Sequence, residues 1–283
     1  MKNKNTSLLE IHLAVLLFGV SGLFGKLLAL PSMIIVLGRV FFSSTFLLIL
    51  ICVLKKDMRL KERKHYLYLI ILGGVLAIHW TSFFEAIKVS TVAIGLLTFS
   101  TFPVFVTFME PLFFKEKIRL SDVIIAIVAF GGVILVIPKF TVESAAAQGA
   151  LWGILSGFTY AILSILNRKY VKDYSSTVIA FYEQIIATVL LMPFIFVESP
   201  AISMRDIALL ILLGTVFTGI SHTLFINGLK NVKTQAAGII STLEPVYGIV
   251  FATILLGEIP SMRELLGGAI ILSTVFYSTV KSK

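Results

Sequence analysis

The chain has 283 residues, of which 58% are apolar and only 14% charged. A soluble domain is usually near half apolar and a quarter charged, so this composition excludes an ordinary soluble globule and marks an integral membrane protein embedded in a lipid bilayer. The net charge of +9 is assigned to cytoplasmic loops rather than to nucleic acid, which is set aside as a partner.

A spanning helix takes roughly 20 mostly apolar residues. Ten such segments follow in chain order: 9–29, 32–54, 65–87, 91–114, 121–138, 149–169, 176–197, 206–229, 234–256 and 264–281. Met1-Lys2-Asn3-Lys4 ahead of the first resembles a signal peptide. The apolar run from Leu9 to Leu30 is long, however, and no small-residue cleavage site follows, so it reads as a retained helix. Lys26, near the outer end of that segment, is expected to snorkel to the interface. Pro31, Pro138, Pro200 and Pro260 all fall in connections, as chain breakers should. The single cysteine, Cys52, excludes an intramolecular disulfide and a multi-cysteine metal site.

Lysine and arginine set the orientation. With the N-terminus inside, 18 of them fall on the cytoplasmic side and four outside, namely Lys88, Lys139, Arg205 and Arg263. Lys26 and Arg39 lie within spans. The split predicts a multi-pass protein of the cell membrane with both termini cytoplasmic.

The chain also repeats itself. Ile78-His79-Trp80-Thr81-Ser82-Phe83-Phe84-Glu85-Ala86-Ile87-Lys88 returns 142 residues later as Ile220-Ser221-His222-Thr223-Leu224-Phe225-Ile226-Asn227-Gly228-Leu229-Lys230. Thr91 opens one following segment and Thr234 the other, Pro103-Val104 matches Pro245-Val246, and Glu116 matches Glu258. The expected architecture is all-α, with ten transmembrane helices in two five-helix repeats, residues 1–140 and 141–283. An odd number of crossings per repeat inverts the second copy. Lys88 is then outside and Lys230 inside. Inverted repeats are the architecture of alternating-access transporters.

Several features in order resemble the drug/metabolite transporter superfamily, in its EamA branch. They are the two five-helix halves, Arg39 early in the second segment, and Ala86-Ile87-Lys88-Val89-Ser90-Thr91-Val92-Ala93 between the third and fourth. Leu243-Glu244-Pro245-Val246 with Leu255-Leu256-Gly257-Glu258 completes the set. The resemblance implies a central cavity and export or exchange of small metabolites, amino acids being a frequent class. It leaves the substrate open. Glu183 in the seventh segment and a total of two tryptophans depart from the commoner pattern.

Ionisable groups inside spans are the leading site candidates, because burying charge in lipid is expensive. Glu244 precedes Pro245, which frees a backbone carbonyl beside the carboxylate. Glu110-Pro111 repeats the dipeptide nearer the cytoplasmic end, where an interfacial role is expected. Arg39 offers a fork for a carboxylate, and a structural role is favoured for it. Glu183 reads either as a titrating site or as a side chain reaching the interface. His79 and His222 suit a polar substrate group or proton coupling. Trp80, Phe83, Phe84, Phe99, Phe102 and Tyr160 could wall an aromatic pocket, Trp80 and Tyr160 foremost because they carry polar handles. The substrate-binding set is therefore His79, Trp80, Tyr160, His222 and Glu244, with Arg39 and Glu183 as coupling or structural charges. Gly73-Gly74, Gly131-Gly132 and Gly267-Gly268 are expected to let helices approach closely.

No phosphate-binding loop, HExxH or GxSxG motif occurs, and the two histidines lack metal-ligand spacing, so neither cofactor nor metal is expected. The expected function is a gradient-driven exporter of small polar metabolites, amino acids or related compounds foremost, by alternating access through a central cavity. A transporter of organic cations or nucleosides with the same fold is the alternative. A lipid-modifying membrane enzyme would need a polar constellation near one interface, whereas the candidates are scattered singly. Monomer and homodimer both remain open.

Overall fold

The computed structural model describes residues 4–114, 120–138, 141, 143–170, 174–228, 232 and 240–281. Among the described residues every element is helical. The first half holds α1 (Lys4–Ser21), α2 (Phe24–Leu27), α3 (Ser32–Val53), α4 (Arg63–Val89), α5 (Val92–Phe99), α6 (Phe102–Phe114) and α7 (Leu120–Val136). The second holds α8 (Ala145–Tyr170), α9 (Ser176–Leu191), α10 (Phe194–Glu198), α11 (Met204–Gly214), a π-helical turn (Thr215–Ile220), α12 (Ser221–Gly228), α13 (Glu244–Leu256) and α14 (Met262–Lys281).

Six stretches are long and apolar enough to cross a bilayer: Asn5–Leu27, Ser32–Val53, Arg63–Val89, Val92–Met109, Ala145–Asn167 and Met204–Phe225. The chain is thus an all-helical, multi-pass membrane protein. Val123–Val136, Ser176–Leu191 and Glu244–Leu256 are apolar but shorter. Each of these abuts a break or residues outside the description. Pro193, which has no N–H to donate, stands between α9 and α10. Residues 115–119 precede α7 and residues 233–239 precede α13.

Several segments expected as single helices are interrupted, and the interruptions have local causes. The fourth breaks at Ser100–Thr101, two residues ahead of Pro103. Ser100 and Thr101 donate their hydroxyls to the carbonyls of Leu96 (2.8 Å) and Thr98 (2.7 Å), so part of the freed backbone is satisfied locally. The ninth has the same device: Thr242–Leu243 form a turn, and α13 begins at Glu244 with Pro245 as its second residue. The eighth widens into the π turn, where the Thr218 hydroxyl also donates to Leu213 O, five residues back, at 2.8 Å. Such turns collect at functional sites.

Packing places matching segments in a crossed arrangement. α4 lies along α8, and α12 lies along α1. α3 packs on α9 and α7 on α14. Close approach depends on missing side chains. A Cβ on Gly19 of α1 would sit 2.7 Å from Glu244 O, and one on Gly248 of α13 would sit 3.0 Å from Gly19 O. Between α7 and α14, a Cβ on Gly267 would sit 2.6 Å from Gly132 O. The main buried core runs through α2 to α5, α8, α9, α11 and α13, with Phe84, Ile87, Leu72 and Leu96 fully enclosed. The outer surface carries Phe41, Ile49, Ile71, Leu151 and Ile254, exposed as lipid-facing positions require.

Candidate functional site

A cavity of about 60 Å³ lies where α1, α3, α4, α5, α8, α12 and α13 converge. That is room for several waters. Arg39, His79, Trp80, Tyr160, His222 and Glu244 all line it. Four helices, α4, α8, α12 and α13, thus deliver these polar residues to one place, and α3 adds the arginine.

Arg39 is 3% exposed. Its Nε donates to Thr218 Oγ1 at 2.8 Å, on the π turn of the opposite half. Its guanidinium carbon lies 4.0 Å from the Trp80 ring centroid and 5.6 Å from that of Phe84. A planar cation held on one edge and one face leaves its remaining N–H groups for the cavity. The role expected of Arg39 was structural; it also lines the cavity.

Glu244 supplies a carboxyl group, at the start of α13 beside the Thr242–Leu243 turn. Arg39, Glu244 and Tyr160 all face the same cavity.

His79 is 4% exposed and reaches across from α4 to α8. Its Nδ1 lies 3.0 Å from Ser156 O and 2.9 Å from Ser156 Oγ. A carbonyl can only accept, so Nδ1 carries the proton. In the neutral ring Nε2 is then the acceptor left for the cavity. Tyr160 stands 5.1 Å from the His79 ring, centroid to centroid. Trp80 meets His222 edge-on at 5.8 Å, so residues at equivalent places in the repeat touch across the site.

Of the expected aromatic wall, Trp80, Phe83, Phe99 and Tyr160 line the cavity. Phe84 is fully buried behind Arg39, and Phe102 backs Tyr160 at 4.8 Å without lining the space. Phe18, Ser21 and Phe225 line it unanticipated. Phe225 had a signal, since it is the repeat partner of Phe83. Phe18 had none, being one of 23 phenylalanines. Glu183 does not line the cavity; it is 3% exposed on α9 and hydrogen-bonded by Asn167 of α8. The side chain of Glu110 lies outside the described residues. No group of three or more metal-binding side chains occurs among the described residues.

One end of the bundle is tied across the halves. Lys26 does not snorkel outward. It donates to Ser90 O at 2.6 Å and Lys88 O at 3.3 Å, with Glu258 at 3.8 Å. Glu258 accepts from Val92 N at 2.9 Å, and Glu264 from Thr91 Oγ1 at 2.9 Å. Lys88 donates to Leu30 O at 2.6 Å. These bonds join the turns after α2, α4 and α13.

The description of the EamA-like transporter family matches residues 6–137 and again 147–280. An uncharacterized transporter, YxxF, of Bacillus subtilis (strain 168) is 25% identical over 99% of this chain and 91% of its own. An uncharacterized transporter of Archaeoglobus fulgidus is 28% identical over 69% of each chain. An S-adenosylmethionine uptake transporter of Rickettsia conorii is 24% identical over 87% of this chain and 82% of its own. A solved crystal structure superposes with a TM-score of 0.70 at 15% identity, covering 99% of this chain and 97% of that one, which is a likeness of fold.

Proposed function

The chain belongs to the EamA-like transporter family, and from that premise we propose that it moves amino acids or related zwitterionic metabolites by alternating access. That it is a transporter and not an enzyme follows from the family and from relatives named as transporters. The halves are residues 1–140 and 141–283, each of five helices, the second inverted and both termini cytoplasmic. The crossed pairing of α4 with α8 and of α12 with α1 supports this, as do the matched breaks before Pro103 and Pro245.

The observation that carries the substrate class is the presence of Arg39 and Glu244 on one small, aromatic-walled cavity. A zwitterion brings a carboxylate for the guanidinium and an ammonium for the glutamate. Each charge is then paired when water is excluded, and a solute carrying only one of them leaves the other buried group unsatisfied. His79 Nε2 and the Tyr160 hydroxyl remain for a polar side chain, and the rings for an apolar one. In the empty state Arg39 and Glu244 compensate each other. Loading replaces that pair with two substrate contacts, and the halves rock about the filled site. The Lys26–Glu258 ties would break as one end opens.

Export or exchange is what the family resemblance implies, whereas the rickettsial relative is named for uptake. The cavity serves either direction, and the gradient sets the sign. A second reading takes its support from the same relative. S-adenosylmethionine joins an amino-acid zwitterion to a sulfonium and an adenine ring, which suits the charge pair and the aromatic wall together.

The test is counterflow in sealed vesicles with a panel of amino acids, nucleosides, organic cations and S-adenosylmethionine. Amino acids or S-adenosylmethionine should exchange, and at normal expression Glu244→Gln should abolish that exchange and Arg39→Lys should lower it. Exchange of nucleosides or simple organic cations alone would replace this reading with the alternative.

A further inference from the structure

Glu183 is buried on α9 away from the cavity, and the substrate mechanism makes no use of it. The Asn167 amide of α8 hydrogen-bonds its carboxyl. Two buried oxygens of this pair nevertheless have no partner, Glu183 Oε1 and Asn167 Oδ1. Both are acceptors, on two side chains already joined. A carboxylate held by a single amide donor, with one oxygen unpaired inside a bilayer-spanning bundle, is costly.

One proton resolves both deficits. Placed on Glu183 Oε1, it makes an O–H that donates to Asn167 Oδ1, while the Asn167 amide continues to donate to the other carboxyl oxygen. The result is a closed acid–amide pair with two hydrogen bonds and no orphaned atom.

Several ionisable groups on the surrounding helices are engaged elsewhere. On α3, Arg39 is bonded to Thr218. On α4, His79 is bonded to Ser156, His65 to Tyr174, and Tyr66 packs edge-on against Tyr182. Tyr68, also on α4, packs beside His65. On α12, His222 is packed between Phe18 and Trp80. Tyr160 of α8 faces the cavity, and the side chains of residues 168–170 lie outside the description. Among the described residues only Asn167 hydrogen-bonds the Glu183 carboxyl.

We propose that Glu183 and Asn167 form a proton-binding site, separate from the substrate cavity and bridging α9 to α8. Asn167 lies seven residues beyond Tyr160 on the same helix, about two turns along one face. A proton gained or lost there acts on the helix that carries Tyr160 of the cavity and Ser156, the partner of His79.

The test uses the purified full-length protein and the proton itself as probe. Infrared difference spectra across a pH series should show the carbonyl stretch of a buried protonated carboxyl, downshifted in heavy water and lost as pH rises. Glu183→Gln, which can still pair with Asn167 through its amide, should fold and lack that band. Glu244→Gln should retain it. Asn167→Leu should keep the band at a shifted frequency, because its hydrogen-bond partner is gone. Spectra of Glu183→Gln that superimpose on the parent protein at every pH would overturn the proposal. So would an Asn167→Leu band at the parent frequency.

Discussion

The guanidinium of Arg39 is stacked over Trp80, its carbon 4.0 Å from the ring centroid, while its Nε donates to Thr218 in the other half of the chain. The arginine thereby fixes the Trp80 ring, reads the π turn and faces Glu244 at once. Lysine supplies charge but neither the planar stack nor the forked donors. Arg39→Lys should lower transport by about 10- to 100-fold, the equivalent of one buried charged hydrogen bond of about 1.5–3 kcal/mol. Counterflow rates at matched expression check it.

His79 separates a structural bond from a functional one. Its Nδ1 binds Ser156, and Nε2 is left for the solute. His79→Asn places an amide donor near the Nδ1 position and removes the Nε2 acceptor. This variant should keep the parent melting temperature and lose about tenfold in apparent affinity, as for a missing hydrogen bond of about 1.4 kcal/mol. His79→Ala should also lose stability, because the buried Ser156 groups lose a partner. Thermal unfolding beside transport distinguishes the two.

Glycine positions make a paired prediction on packing. A Cβ on Gly19 meets the Glu244 carbonyl oxygen at 2.7 Å, backbone that cannot swing away, whereas a Cβ on Gly131 meets nothing within 4 Å. Gly19→Ala should destabilise by about 1–3 kcal/mol and disturb Glu244. Gly131→Ala should be neutral or slightly stabilising. Melting temperatures of the two purified variants settle the comparison.

Lys26 and Glu258 tie the halves together at one end, and in alternating access such a tie opposes opening there. Removing the ammonium by Lys26→Met breaks its bonds to Ser90 O and Lys88 O. At about 1.5 kcal/mol for a charge-assisted bond, the open population should rise by roughly tenfold. A thiol at the cavity wall, Ser21→Cys in a Cys52→Ser background, should then react about tenfold faster with a membrane-impermeant maleimide.

Hydropathy and repeat together made the helical elements and the convergence on α4, α8, α12 and α13 readable. Intramembrane polar residues are rare enough to stand out, so Arg39, His79, His222 and Glu244 could be picked one by one. What stayed hidden was contact across spans. Nothing in sequence places Thr218 against Arg39, because the π turn shifts its register by one residue. The Ser100–Thr101 break was equally silent, since Pro103 within an apolar run signals a kink but not its extent. Phe18 reaches the cavity only because Gly19 and Gly248 let α1 and α13 touch. Lys26 looked like an interfacial side chain until its carbonyl partners, 62 and 64 residues on, were in place.

The central claim is that Arg39 and Glu244 recognise the two ends of one zwitterion. The most direct measurement loads the purified protein into liposomes and compares counterflow of an amino acid with that of its methyl ester and its deaminated acid. The ester keeps the ammonium alone, and the acid keeps the carboxylate alone. The account predicts exchange of the zwitterion and at least a 100-fold loss for each analogue, about 2.7 kcal/mol for one uncompensated buried charge. Equal exchange of the ester or of the deaminated acid would contradict it.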